Sequence, residues 1–151
     1  MAFLLDEFSK LIANAEDDGL EYAVCGGLAM AILGFPRATM DIDLLIREES
    51  LDVALKIAAK NGYDIRGLDI SFNDPPLEIR RVSKIIGDAI LCLDLLLVTE
   101  EIEDVWETRE RINYLGRSMS VVSRDGLIKM KRQAGRPQDT ADIYRIENEE
   151  D

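Results

Sequence analysis

Residues 22–46, YAVCGGLAMAILGFPRATMDIDLLI, constrain this chain more than any other stretch. A short apolar run, 22–25, enters a Gly26-Gly27 turn, and an apolar helical segment, 28–33, stops at Gly34-Phe35-Pro36. Arg37-Ala38-Thr39-Met40 then leads into Asp41-Ile42-Asp43-Leu44-Leu45-Ile46, which reads as a buried strand with two acids at its start. Strand side chains alternate faces, so Asp41 and Asp43 share one face with Cα atoms roughly 6–7 Å apart. Ile42 and Leu44 take the other. Two carboxylates converging in an apolar setting are costly unless positive charge lies between them. A divalent cation meets that need.

The remaining pattern predicts an α+β fold, a mixed sheet of about five strands flanked by helices. Apolar positions Phe3, Leu4, Phe8, Leu11, Ile12 and Ala15 recur at helical spacing over 3–18. Residues 20–25 read as the first strand, 51–61 as an amphipathic helix ended by Gly62, and 63–72 as short extended segments. Asn73-Asp74-Pro75-Pro76 is a turn, because proline cannot sit inside a ladder. Residues 80–86 and 89–98 form a hairpin about Gly87-Asp88. Asp94 is the single charge in 89–98, so it reads as a third site carboxylate, or as a strand-edge acid or one paired to a core arginine. Residues 100–107 begin an acidic helix, and 109–114 with 118–122 form a second hairpin. Ser123 is an N-cap for a helix over 127–134, Gly135-Arg136-Pro137 interrupts it, and a last helix runs 138–146. Residues 1–146 make one domain, with 147–151 an acidic tail.

Composition excludes several chemistries. The 151 residues contain no histidine, which removes Ser-His-Asp and Cys-His catalysis and His-ligated zinc together. A net charge of −12, from 30 acidic and 18 basic residues, argues against bulk nucleic-acid binding, which needs phosphate neutralisation. Neither a glycine-rich dinucleotide fingerprint nor a Gly-Lys-Ser/Thr loop is present. Cys25 and Cys92 sit in apolar strand-like runs and read as buried free thiols of a cytoplasmic protein. No signal peptide or membrane span is expected, since Asp6, Glu7 and Lys10 interrupt the early apolar residues and the longest apolar run is short.

Gly26-Gly27, Asp41-Ile42-Asp43 and Asp94 resemble, in order, the signature of the nucleotidyltransferase superfamily typified by DNA polymerase β. The likeness extends to small bacterial nucleotidyltransferase-like proteins of the minimal and abortive-infection toxin types, with G-G-x-A…G…R-x-T-x-D-I-D. Their ending, L-I-x-x-K-x-x-A-G-R-x-x-D, is matched over 127–139, with the lysine at Lys131. The resemblance implies transfer of a nucleotide monophosphate from an NTP to a hydroxyl acceptor, within a toxin–antitoxin setting. It implies Mg²⁺ or Mn²⁺ on Asp41, Asp43 and Asp94, hard oxygen donors suited to a hard ion. Gly26, Gly27, Arg37, Thr39 and Lys131 would hold the nucleotide. Arg37 is equally readable as a surface arginine paired to an acid, and Lys131 as part of a solvated helix face.

The chain departs from larger family members in two ways. Gly-Gly in place of Gly-Ser removes a hydroxyl contact to phosphate, and little sequence follows the core to supply an acceptor domain. The acceptor is therefore open among a protein, an RNA end and a small molecule, and a small helical protein is a candidate partner. The competing reading is a degenerate module of the same fold that binds a nucleotide or partner without chemistry. The plainest is an α+β domain whose acids make only surface ion pairs.

Overall fold

The computed structural model describes residues 2–149. Helix α1 (Ala2–Asp17) opens the chain and buries Leu4, Phe8, Leu11, Ile12 and Ala15, the helical stripe visible in the sequence. Strand β1 (Ala23–Cys25) follows, then helix α2 (Gly26–Ile32), strand β2 (Asp41–Ile46) and helix α3 (Leu51–Lys60). Short strands β3 (Ile65–Arg66) and β4 (Ile70–Asn73) lead to the long hairpin of β5 (Pro76–Ile86) and β6 (Ala89–Leu97). Helix α4 (Glu103–Glu107), hairpin β7 (Glu110–Tyr114)–β8 (Arg117–Val121), and helices α5 (Arg124–Ala134) and α6 (Pro137–Asn148) complete the chain.

The sheet holds eight strands rather than about five. Its order is β3-β5-β6-β2-β1-β8-β7, with β4 paired on β5. The shortfall has a physical cause. The two-residue β3 and the four-residue β4 are too short to show an alternating pattern and read only as extended segments over 63–72, until pairing on β5 makes them strands. The sheet is mixed, since β2 runs parallel to β6 while β1–β2 and β5–β6 are antiparallel. Strand β5 starts at Pro76, four residues earlier than the apolar pattern suggests; a proline is tolerated as the first residue of a strand.

The two faces of the sheet differ in chemistry. Ile42 and Leu44 on β2, Val82 on β5 and Leu93 and Leu95 on β6 are buried on one face. Burial of each such side chain contributes about 2 kcal/mol. Lys84, on that face of β5, reaches Glu7 of α1 at 2.9 Å and the carbonyl of Asn61 at the end of α3 at 2.9 Å. Tyr63 donates to the same Glu7 at 3.0 Å, closing a buried link beneath α1 and α3. The opposite face carries Asp41, Asp43, Arg81 and Asp94 and looks toward α5.

Helix α5 begins where the sequence says it should, with Ser123 Oγ accepting from the Gly126 N–H at 3.0 Å. Gly135 ends it in the left-handed conformation, φ 64°. The chain then turns directly into α6, which runs on through Glu147 to Asn148 where a tail was expected. Residues 150 and 151 of that expected tail lie outside the described residues. Both cysteines are free thiols, Cys25 buried and Cys92 only half-buried. Among the described residues no helix is long and apolar enough to cross a membrane.

Candidate functional site

Strand register places the acids. In the parallel β2–β6 pair Asp43 stands opposite Asp94, and in the antiparallel β5–β6 pair Arg81 stands opposite Asp94. On the other side of β2, Cys25 stands opposite Asp43. One row across four strands therefore reads Cys25, Asp43, Asp94, Arg81, with Asp41 one pleat away on the same face as Asp43. The three acids proposed from sequence are neighbours on one sheet face.

Their electrostatics are strained. Burial, and then the charges of Asp94 and Asp41, push the Asp43 carboxyl up to about 7. Burial and Asp94 also raise Asp41 above its ordinary value. Asp94 has found a counter-ion within the chain: Arg81 donates through Nε to Oδ1 at 2.7 Å and through Nη2 to Oδ2 at 2.8 Å. This is the bidentate fork that guanidinium makes with carboxylate. The Asp94 side chain is 11% exposed and the Arg81 side chain 40%, so the arginine approaches from the open side. The alternative reading of Asp94 as an acid paired to an arginine thus holds in this geometry, together with its place beside Asp43.

Gly26 and Gly27 close the site from the β1–α2 turn. Gly26 has φ 66°, and any Cβ there would run into Asp43 Oδ2. A Cβ on Gly27 would sit 2.6 Å from Thr39 Oγ1. The two glycines are therefore required by close approach, one to the carboxylate and the other to the threonine. They also begin α2 rather than preceding it, so the helix spans Gly26–Ile32, about two turns.

The cations form a separate, internally balanced cluster. Lys131 is buried, not solvated: its Nζ donates to Asp142 Oδ2 at 2.8 Å and lies 3.7 Å from Asp139 Oδ1. Arg37 Nε contacts both oxygens of Asp142 at 3.1 Å, so this arginine is paired to an acid at the place where it lines the site. Arg136 caps α6 and grips Asp139 at 2.7 and 3.0 Å. Burial works against ionising Asp139, yet the Arg136 side chain and N–H, with Lys131, hold its carboxyl below the ordinary value.

Two pockets meet at the acids. The first, about 280 Å³, is lined by Gly26, Gly27, Arg37, Thr39, Lys131 and Arg136 together with Asp41 and Asp43. All five residues proposed from sequence for nucleotide binding line it. The second, about 380 Å³, is lined by Asp41, Asp43, Asp94 and Arg81, then by apolar side chains of the sheet and α5. Asp41 and Asp43 belong to both and lie between them, and Gly26, Lys131 and Arg136 also line both.

Searches of protein-family models and of curated proteins give no match for this sequence. Solved structures do match. A Thermotoga maritima protein provisionally assigned as a nucleotidyltransferase superposes with a TM-score of 0.64 at 15% identity, over 99% of this chain and 96% of that one. The antibiotic-resistance factor ANT(2'')-Ia gives 0.64 at 19% identity, over 96% of this chain and 82% of that one. The same factor in complex with adenylyl-2''-tobramycin gives 0.62 at 19% identity, over 92% and 84%. At these identities the likeness is one of fold. This is the nucleotidyltransferase fold.

That fold implies a divalent cation, and the donor set can be tested against it. Asp41 and Asp43 offer hard carboxylate oxygens, and burial, then the neighbouring acids, raise the Asp43 carboxyl. The pair fits a hard divalent ion. Asp94 does not join while both its oxygens serve Arg81, and among the described residues no group of three His, Cys, Asp or Glu is arranged to hold a metal. Sequence reading missed Arg81, although the signal was present. Counting six residues outward on each side of the Gly87-Asp88 turn sets Arg81 opposite Asp94. Asp139 is the last residue of the ending matched over 127–139, whereas Asp142, which holds Lys131 and Arg37, carries no signal short of the α5–α6 packing.

Proposed function

We propose that this chain is a metal-dependent nucleotidyltransferase, which moves a nucleotide monophosphate from an NTP to a hydroxyl acceptor. The observation that carries the reading is the shared wall: Asp41 and Asp43 separate a glycine-and-cation pocket from a second pocket that reaches Asp94. A triphosphate placed in the first pocket meets Gly26 and Gly27, where no Cβ intervenes, and Thr39. Arg37, Lys131 and Arg136 offset its charge, already oriented by Asp142 and Asp139.

A divalent cation, Mg²⁺ or Mn²⁺, held by Asp41 and Asp43 would supply Lewis-acid polarisation of the phosphoryl oxygens. The chain's own residues do the rest. The first pocket fixes the α-phosphate at the wall, the second presents the acceptor hydroxyl on its far side, and Asp94 takes the hydroxyl proton once Arg81 has turned away. The new bond joins the acceptor oxygen to the α-phosphorus, the bond from that phosphorus to the β-phosphate bridge breaks, and pyrophosphate leaves. Positioning and electrostatics account for the rate. ATP is the donor favoured by the adenylyl product bound to the resistance factor. The biological setting proposed from the sequence resemblance is a cytoplasmic toxin–antitoxin pair with a small helical protein partner.

The Arg81–Asp94 fork favours a second reading, in which the third acid is permanently neutralised and the fold binds a nucleotide or partner without turnover. Pyrophosphate release from each NTP with Mg²⁺ or Mn²⁺ and pooled cell-extract acceptors separates the two. Metal-dependent release that Asp94→Asn abolishes supports transfer. Metal-dependent NTP binding with no release under any of these conditions supports the binding module.

A further inference from the structure

The second pocket has a chemical character that narrows the acceptor. Register aligns Phe72 with Leu77 across β4–β5 and Ile79 with Leu96 across β5–β6, on the same sheet face as Arg81 and Asp94. Met130 of α5 closes the opposite side. The cleft carries its charged groups, Asp41, Asp43, Asp94, Asp139, Arg81, Lys131 and Arg136, around the acids, with Gln133 as a neutral polar group of α5, and its sheet wall is aliphatic and aromatic. Phe72 is 54% exposed among the described residues.

The acids that line this cleft are already committed. Asp94 is bound by Arg81, Asp139 by Arg136 and Lys131, and Asp41 and Asp43 form the wall toward the phosphates. No carboxylate lies among the outer apolar residues. A polycationic amino sugar, such as the tobramycin moiety bound to the resistance factor of the same fold, would find no free acid for its ammonium groups there. An apolar body would instead bury against Phe72, Leu77, Ile79, Leu96 and Met130 at about 25 cal/mol per Å². The volume of about 380 Å³ suits a small molecule.

We infer that the acceptor subsite is the cleft between the β4–β5–β6 face and α5, and that it takes a small, uncharged or weakly charged hydroxyl compound with an apolar body. The inference rests on the nucleotidyl-transfer reading for the reaction, but the apolar subsite is measurable without it. The hydroxyl points toward Asp94 and the apolar body lies outward along Phe72.

The probe is 2-(2-naphthyl)ethanol, an apolar primary alcohol followed by its fluorescence, with tobramycin as the polycationic comparison. Naphthylethanol is expected to bind the full chain in the presence of saturating NTP and Mn²⁺, without displacing the NTP. Phe72→Glu weakens it at least tenfold, Phe72→Leu restores it, and NTP–Mn²⁺ affinity stays the same in both. Tobramycin neither displaces the probe nor becomes labelled from α-³²P NTP. Labelled tobramycin overturns the inference, as does probe binding indifferent to Phe72→Glu. Probe that competes with NTP assigns the cleft to the nucleotide base and overturns it too. Failure of NTP–Mn²⁺ to bind the wild type would sink the transfer reading instead, a different result from failure of the naphthyl probe.

Discussion

The two pockets that share Asp41 and Asp43 solve the problem of charge in opposite ways. On the Gly26–Gly27 side every cation already has a fixed acid: Lys131 and Arg37 rest on Asp142, and Arg136 on Asp139. Both acids are buried on α6, so the arrangement is built into helix packing. On the other side the acids outnumber their partners. Asp94 has one arginine approaching from solvent, and Asp41 and Asp43 have no ion pair among the described contacts. In the proposed function, one pocket meets phosphate with cations already held in place. The other holds an unresolved negative charge that a cation from outside would relieve.

The sharpest way to break this contrast is to remove the unresolved charge. Asp43→Asn is expected to lower metal-dependent turnover by about a thousandfold or more, the scale for losing a central electrostatic group. The metal-free variant melts no lower than the wild type, because the burial cost of the carboxylate goes with it. Thermal melts beside pyrophosphate release check both halves.

Breaking the preorganised side has the opposite signature. Asp142→Ala strips Lys131 and Arg37 of their shared acid and leaves the buried ammonium only its longer, 3.7 Å contact with Asp139. Removing one partner of a buried ion pair costs about 3 kcal/mol. At this chain length that corresponds to a drop of about 10 °C in Tm, accompanied by weaker NTP binding in calorimetry.

How much of this contrast was written in the sequence depends on the range of the contacts. Asp41, Asp43 and the Gly26-Gly27 turn lie within one strand–helix–strand segment, and side-chain alternation fixes their shared face. Asp94 stood out because a lone charge in an apolar strand needs a reason. The hairpin about Gly87-Asp88 even encoded the pairing of Arg81, by simple register. The acid behind Lys131 and Arg37 was not legible, since Asp142 lies 105 residues from Arg37 and in a helix whose polar positions look like ordinary surface. The short strands β3 and β4 were legible only as extended segments over 63–72, having too few residues to carry a period or show their pairing on β5. Those strands position Phe72, and with it the apolar wall.

Arg81 is the hinge between the two sides, and Arg81→Gln sharpens the comparison. With the fork gone, Asp94 is free to join Asp41 and Asp43, and Mn²⁺ is expected to bind about tenfold tighter, a difference of about 1.4 kcal/mol. Manganese titration followed by electron paramagnetic resonance measures this without any turnover. Unchanged or weaker Mn²⁺ binding would mean that the arginine does not compete for the site.

The smallest effect is on pH. The folded Asp43 carboxyl titrates near 7, above its unfolded value near 4. Between these values the folded state holds a proton that the unfolded chain has lost, so raising the pH through this window costs stability. The metal-free protein should therefore lose about 1 kcal/mol of this contribution between pH 5 and pH 8, less than the full shift because Asp43 opens onto both pockets. Asp43→Asn flattens the slope. Mn²⁺ affinity in the wild type rises over the same range, as the ligand deprotonates.

The central claim is that Asp41 and Asp43 hold a cation that ties a nucleotide to the Gly26–Gly27 pocket. Calorimetric titration of each NTP, with and without Mg²⁺, into the wild type and the Asp41→Asn/Asp43→Asn variant tests it most directly. The account predicts binding that needs Mg²⁺ and vanishes in the variant. Binding that ignores Mg²⁺, or that survives the loss of both carboxylates, would contradict it.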